Sequence, residues 1–181
     1  MEKNERDFGM TSLPVVGLVS KSSLRIHSLG EVDELSSHIG LLTAILPESC
    51  SDLLQKLECI QRTLFATGAV LSGSNKCGKY TAFINNTLHD LEQWKAAYEE
   101  EAGALSGFII PSGHTASCQA HICRSVCRRT ERSIVSLCEQ ESDIEDITKY
   151  ILPFINTLSN FFFTVVRVIN KRLKIGEKEY E

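Results

Sequence analysis

The stretch Thr115-Ala-Ser-Cys-Gln-Ala-His-Ile-Cys-Arg-Ser-Val-Cys-Arg-Arg-Thr-Glu-Arg-Ser-Ile-Val-Ser-Leu-Cys-Glu-Gln140 decides the fold. Its apolar residues recur every three or four positions, which is the period of a helix with one buried face. We therefore predict a helix over about 115–140. The extended stretch 108–113 leads into it, because Pro111 biases the preceding residue away from helical angles and Gly113 permits a sharp turn.

Three arginines of this helix, Arg124, Arg128 and Arg132, are spaced so that they share one face, with His121 and Glu131 beside them. A basic run of this kind is typical of a solvated face with local ion pairs. The apolar residues of the helix favour another interpretation, because they leave little of it to face water: Ala116, Ala120, Ile122, Val126, Ile134 and Val135. An arginine buried at an interface usually binds a carboxylate or a phosphate through its planar fork.

Four further helices are predicted by the same period, and no stretch alternates convincingly as a strand. The second helix runs from Leu53 to the breaker cluster at 72–78, and the others cover about 30–46, 83–101 and 144–174. Pro153 should kink the last helix or mark its true start. Five long helices predict an all-α five-helix bundle over 30–174. Residues 1–29 are predicted as a loop segment with a short hairpin, and 175–181 as a polar tail.

Composition excludes several classes of protein. The 181 residues are 43% hydrophobic and 23% charged, which is ordinary for a globular chain and unlike a disordered or collagen-like one. The formal charge of −4 gives no general attraction to nucleic acid or to anionic lipid, so an anionic ligand needs locally clustered basic residues. Seven cysteines without a Cys-x-x-Cys pair favour reduced, mostly buried thiols.

Two stretches of the chain exclude further classes of protein. Met1–Asp7 carries acids and no apolar run, so it predicts neither a secretory signal nor a transit peptide. The most apolar stretch, 161–169, is too short to span a bilayer and predicts a core helix.

Carboxylates and small polar residues near the N-terminus are candidates for chemistry. Asp33 and Glu34 open the first predicted helix, where acids complement the helix dipole; alternatively, Asp33 orients an arginine of the 115–140 helix. Residues 7–12 followed by Lys21 are similar to a small phosphate-cradling loop, without the order of a Walker motif. A carboxylate-bridged di-iron bundle needs Glu-x-x-His on two helices, and the single Glu34/His38 pair has the wrong spacing.

Together these stretches resemble the PduO-type ATP:cob(I)alamin adenosyltransferases, and their eukaryotic mitochondrial branch most closely. The resemblance covers about residues 7–172. It is carried by the residues 121–132 and by four other stretches: Gly30-Glu-Val-Asp33-Glu-Leu-Ser-Ser-His-Ile-Gly40, Lys79-Tyr-Thr-Ala-Phe83 with Leu91-Glu-Gln-Trp94, Phe108-Ile-Ile-Pro-Ser-Gly113, and Phe154-Ile-Asn156-Thr-Leu-Ser-Asn160.

The resemblance implies a homotrimer of five-helix bundles that binds ATP with Mg²⁺, and cobalamin, where subunits meet. It implies that Arg128 and Phe108 act in catalysis, with Phe108 below the corrin, and that Asp33 pairs with Arg124 across the interface. No protein side chain is implied as a metal ligand. The implied ATP-binding residues are Asp7, Gly9, Thr11, Ser12, Lys21, Arg128, Arg129, Glu131, Arg132 and Asn156.

The implied reaction transfers the 5′-deoxyadenosyl group of ATP to the cobalt of reduced cobalamin. A reductase and a cobalamin-dependent mutase are the implied protein partners, and the mitochondrion is the implied compartment, with the cytoplasm as the alternative. Co(I) is itself a very strong nucleophile, so the reaction needs positioning and charge stabilisation but no general base.

The sequence departs from the family pattern at three places, and those in the N-terminal loop favour a second hypothesis. Glu5-Arg6 replaces Thr-Gly before Asp7, Leu18 replaces a basic residue, and Thr157 and Asn160 replace an arginine and its acid partner. A negative Glu5 beside a triphosphate would weaken ATP binding. The alternative is therefore a catalytically weakened relative that binds or delivers cobalamin without adenosylating it. A helical bundle without a ligand is the third alternative.

Overall fold

Five α-helices carry the fold in the computed structural model, which describes residues 8–142 and 144–180. A β-hairpin precedes them, formed by β1 (Met10–Leu13) and β2 (Gly17–Ser20). The helices are α1 (Leu24–Ala44), α2 (Leu53–Leu71), α3 (Lys79–Ala102), α4 (Thr115–Gln140) and α5 (Leu152–Arg172). The predicted all-α five-helix bundle is confirmed, and α4 has the predicted bounds.

Each helix packs against two neighbours, so that the bundle closes into a ring. α1 contacts α2 and α4, α5 contacts α4 and α3, and α3 contacts α2. Phe154, Phe161 and Phe162 of α5 are completely buried at the centre of the ring. Phe161 packs against Phe162 and against Trp94 and Tyr98 of α3, and the buried Leu and Ile side chains of α1 and α2 belong to the same cluster, so the core lies where the apolar stripes of the helices meet.

Two helices begin earlier than predicted. α1 starts at Leu24 and not near residue 30, because the Ser23 side chain caps it by accepting a hydrogen bond from the Ile26 amide. The predicted division between residues 29 and 30 therefore falls inside a helix. α3 starts at Lys79, four residues before the predicted position, after Gly78 in a left-handed conformation.

Pro153 marks the start of α5, which is one of the two alternatives that the sequence predicts. A π-helical turn, Ile147–Ile151, runs directly into α5, and Pro153 stands in the first turn of α5. The segment Ile147–Arg172 is long and apolar enough to cross a membrane by those measures alone, but 67% of its most apolar window is buried inside the bundle. It is the core helix that the sequence predicts.

The polar tail predicted at 175–181 has a structural partner that the sequence did not reveal. Ile109 and Glu179 form an antiparallel bridge, in which the Ile110 amide donates to the Lys178 carbonyl at 2.7 Å and the Tyr180 amide to the Phe108 carbonyl at 2.8 Å. The stretch that leads into α4 is thus paired with the end of the described chain.

A network around Arg172 joins α5 to the start of α2 and the end of α3. Arg172 binds both carboxylate oxygens of Glu101, at 2.6 and 2.8 Å, and also pairs with Asp52, which accepts a hydrogen bond from Tyr98. Desolvation by burial raises the pKa of Asp52, but the hydrogen bonds from Arg172 and Tyr98 outweigh it and hold this pKa below its ordinary value.

Replacing Arg172 with methionine is expected to lower the free energy of unfolding at pH 7 by about 1–2 kcal/mol, because two partly exposed carboxylates lose their partner. Asp52 has a lowered pKa in the folded state, so its stabilisation is present above its ordinary pKa and is lost as the pH falls through the folded value. The difference between wild type and variant should therefore shrink below about pH 4. Urea unfolding at pH 7 and pH 3 measures it, and equal stabilities at pH 7 would contradict the assignment.

Candidate functional site

The arginines of the described chain divide into two groups. Five of the eight pair with carboxylates, namely Arg25, Arg62, Arg129, Arg167 and Arg172. Arg124, Arg128 and Arg132 of α4 have no carboxylate within 4 Å among residues 8–142 and 144–180. The three unpaired guanidiniums are those that the sequence places on one helix face, so this face carries positive charge that the described chain leaves uncompensated.

Two of these arginines line a cleft of about 540 Å³ between α3, α4, α5 and the loop 103–114. Phe108 and Phe163 give the cleft apolar surface, and Arg124 and Arg128 give it positive charge. The remaining lining residues are Lys95, Glu99, Leu105, Gly107, Ile109, Ser159 and Asn160. Glu99 is the acid of this set, and Lys95 neutralises it through an ion pair of 3.0 Å.

Of the two arginines that line the cleft, Arg124 is the one whose charge is less well stabilised by its surroundings. Burial lowers its pKa, the neighbouring charge of Arg128 lowers it further, and its buried Nε has no hydrogen-bond partner. A buried, unpaired donor next to a second cation is costly unless an anion or another acceptor approaches it. The cleft is therefore suited to an anionic ligand.

Phe108 has 85% of its surface exposed, in a loop that backbone pairing holds in place. A large apolar side chain held in water is informative when it lies at the mouth of a cleft, because a ligand can bury it. Phe108 and the two arginines, predicted separately from the sequence, are brought together here.

The face of α4 that carries Arg124, Arg128 and Arg132 is more exposed than predicted. Arg128 and Arg132 lie in solvent and Arg124 is half-buried, while Ile122 and Val135 have 44% and 38% of their surfaces exposed. The helix has a broad apolar face toward the ring and a second, partly apolar face away from it. In one chain this second face is uncovered.

Arg129 is engaged within the bundle. Its Nε donates to Glu31 at 2.6 Å and its Nη2 to Glu34, and these bonds, together with the nearby carboxylate charges, raise its pKa. It thus joins α4 to α1 through two ion pairs, and its contact with ATP remains a prediction. Helix α1 does orient an arginine of α4, but through Glu31 and Glu34 and not through Asp33.

Asp33 lies on another side of the bundle from Arg124. It is exposed in a depression between α1 and α2, beside Val32, Ser36 and Phe65, the last with 74% of its surface exposed. The predicted pairing of Asp33 with Arg124 therefore cannot form within one chain.

The N-terminal candidates lie together on the hairpin. The Lys21 amide donates to the Gly9 carbonyl at 2.8 Å, and Thr11 and Ser12 stand in β1 opposite Val19 and Leu18. The tip of the hairpin packs on Gly73, at the end of α2, so these residues do not line the cleft that holds Phe108. Asp7, like Glu5 and Arg6, lies outside the described residues.

The other predicted ATP-binding residues surround the α4 face. Arg132 donates to the Arg128 carbonyl at 3.0 Å, Glu131 is half-buried, and Asn156 of α5 is exposed. The sequence did not indicate Lys95, Asn160 or Phe163 as lining residues. Asn160 and Phe163 follow Asn156 by four and seven positions, so the three share one face of α5, and this spacing is the signal that was available.

Cysteine and metal chemistry add little to the site. All seven cysteines are free, as predicted, and burial raises the pKa of Cys123 to about 12. Across the described ranges, no group of three His, Cys, Asp or Glu side chains is arranged to hold a metal ion.

Comparison of the sequence with known proteins shows the family to which the chain belongs. The cobalamin adenosyltransferase family matches residues 2–169, and the chain belongs to this family. A cobalamin adenosyltransferase of Cupriavidus metallidurans is 40% identical over 91% of the chain and 85% of its own length. The human corrinoid adenosyltransferase MMAB is 35% identical over 84% of the chain and 62% of its own length. The predicted closeness to the mitochondrial branch gains only weak support, since the bacterial relative is the more identical of the two.

Solved structures of PduO-type adenosyltransferases have the same fold as this chain. An arginine-to-lysine variant of the PduO-type ATP:corrinoid adenosyltransferase of Lactobacillus reuteri, complexed with ATP, superimposes with a TM-score of 0.87 at 29% identity, covering 100% of this chain and 99% of its own. A phenylalanine-to-alanine variant of that enzyme, complexed with cobalamin and ATP, gives a TM-score of 0.82 at 28% identity, covering 100% and 98%.

Proposed function

We propose that this protein transfers the 5′-deoxyadenosyl group of ATP to the cobalt of reduced cobalamin and releases triphosphate. The observation that carries the proposal is the cleft in which Phe108 faces Arg124 and Arg128, two cations without carboxylate partners in the described chain. Membership of the cobalamin adenosyltransferase family supports the same reaction.

The residues of the cleft suit the chemistry of this transfer. The electron pair of Co(I) forms the bond to the 5′-carbon, the bond from that carbon to oxygen breaks, and its electrons leave with the triphosphate. Negative charge therefore builds on the leaving group, which preorganised guanidiniums stabilise. The exposed ring of Phe108 supplies an apolar surface for the lower face of the corrin, where it would displace the axial ligand and ease reduction of Co(II).

Mg²⁺ enters this proposal as the counter-ion of ATP, hence as part of the substrate. The described residues offer no three-ligand metal site, so no step is assigned to a metal held by the protein. A reductase that supplies the electron for Co(II) and a cobalamin-dependent mutase that takes up the product are the proposed protein partners.

The proposed assembly is a homotrimer with its nucleotide sites between subunits. Three observations support it: the hairpin residues and the α4 arginines lie apart in one chain, Asp33 and Arg124 face different directions, and Phe65 and Ile122 expose apolar surface beside them. In a trimer, Asp33 of one subunit would reach Arg124 of the next, while the hairpin of one subunit completes the phosphate site of another.

Replacing Asp33 with arginine is expected to split this assembly, because it would place two cations opposite each other at each interface. Sedimentation at fixed concentration should show the mass of one chain in place of three. The reciprocal double variant, Asp33→Arg with Arg124→Asp, should recover part of the trimer. A wild-type protein that sediments as a single chain would exclude the assembly.

Anaerobic incubation with ATP, Mg²⁺ and chemically reduced cobalamin tests the function. Absorption spectra should show formation of the cobalt–carbon bond, dependent on both the protein and ATP. A carrier without transferase activity is favoured by the Glu5-Arg6 replacement. It would bind cobalamin but show neither product nor ATP binding in a titration.

A further inference from the structure

The loop that carries Phe108 is held at both ends by side chains of α5. At its start, Arg167 donates from Nη1 to the Gly103 carbonyl and from Nη2 to the Ala104 carbonyl, each at 3.0 Å. At its end, the buried Asn170 donates to the Ser112 carbonyl and accepts from the His114 amide, both at 3.3 Å. Arg167 and Asn170 are one helical turn apart, so one face of α5 fixes the span of the loop.

Gly113 shows how closely the loop approaches this helix. Its φ of +115° is unfavourable for other residues, and a Cβ placed there would lie 2.3 Å from the Asn170 side-chain oxygen. The loop therefore has little freedom at this end.

The middle of the loop is held by the tail, and Arg167 binds the tail as well. Its Nε donates to Glu177 at 2.8 Å, immediately before the residues that pair with Phe108 and Ile110. The Arg167 side chain is only 9% exposed, and Glu177 is its carboxylate partner. One guanidinium thus joins the loop that carries Phe108 to the tail that pairs with this loop.

We propose that Arg167 is a positioning residue for the corrinoid substrate, acting through the loop and the tail on Phe108. The inference rests on the proposed function. Arg167 does not line the cleft. Four of the five N–H donors of its guanidinium bind acceptors inside the protein, so Arg167 does not touch substrate. Its effect is to preorganise an exposed ring that has no side-chain packing of its own to hold it in place.

The test uses two variants, Arg167→Met and Glu177→Ala, in the full chain. Both should raise the KM for cobalamin about tenfold and leave the KM for ATP within about twofold, since loss of one geometric constraint misplaces the apolar platform alone. Lys178→Ala is the matched control, because Lys178 pairs with Ile110 through its backbone carbonyl and the substitution keeps that bond. Amide exchange at Ile110 and Tyr180 should accelerate in the two variants and not in the control.

A double-mutant cycle separates positioning from simple loss of stability. In a Phe108→Ala background, Glu177→Ala should no longer raise the KM for cobalamin, because the group it positions is gone. Unchanged cobalamin KM values for both single variants, in an active wild type, would overturn the inference. Full additivity in the cycle would overturn it too. A wild type that forms no cobalt–carbon bond would instead reject the proposed function, so the two failures are distinguishable.

Discussion

An Arg128→Ala protein is expected to lose about 10²- to 10³-fold in kcat/KM for ATP, the usual cost of removing one preorganised charge from a leaving-group site. Arg128 lines the cleft beside Arg124, is exposed, and has no carboxylate partner among the described residues, so its charge is available to the triphosphate. The loss should appear in ATP titration as well as in steady-state rates.

The fold of this variant should be preserved. Arg128 is on the surface, and truncation of such a side chain usually changes the free energy of unfolding by no more than about 0.5 kcal/mol. Arg62→Ala is a suitable control, because Arg62 is an exposed arginine of α2 whose i, i+4 partner is Glu58. Retention of ATP binding and rate within about twofold in Arg128→Ala would contradict the role of the cleft arginines.

Phe108→Ala is expected to slow adenosylation that starts from Co(II) by about 10²-fold, the scale of effect that misplacing a reacting group produces. ATP affinity should stay near the wild-type value. The reason is that Phe108 offers an apolar surface to the corrin and no polar group to the nucleotide. Because 85% of the side chain is exposed, its removal costs little buried area and the variant should fold normally.

The same variant supplied with chemically prepared Co(I) is the matched control. If the ring assists reduction by displacing the lower axial ligand, the defect should be much smaller when reduction has already occurred. Stopped-flow absorbance measures both rates, and isothermal titration measures ATP affinity. Equal losses of rate and of ATP affinity would contradict the assignment of Phe108 to the corrin.

Local patterns predicted the parts of this molecule that depend on neighbours in sequence. The bounds of α4 followed from its apolar period between Gly113 and the polar residues after Gln140, and the shared face of Arg124 and Arg128 followed from helix geometry. The prediction placed the start of α1 too late. Ser23 is the capping residue that indicates the true start, but Gly30 within the helix resembles a helix boundary.

Long-range contacts explain what the sequence left undetermined. Arg129 binds Glu31 across 98 positions, and the tail pairs with the Phe108 loop across about 70, so no local period encodes either contact. The acids that engage Arg129 also show why a motif cannot assign roles by itself. Adjacent arginines in one helix point to different surroundings, and only the packing of α1 against α4 separates the ligand-facing one from the structural one.

The place of α5 in the ring has a consequence for biosynthesis. α5 follows the other four helices in the chain, yet it supplies the three phenylalanines at the centre. While a ribosome is still translating α5, the nascent chain exposes those apolar faces of α3 and α4 that α5 covers in the finished bundle. Premature termination before Pro153 should therefore yield a product that chaperones retain and proteases degrade, whereas a chain stopped after Arg172 would keep its bundle and lose only the support of the Phe108 loop.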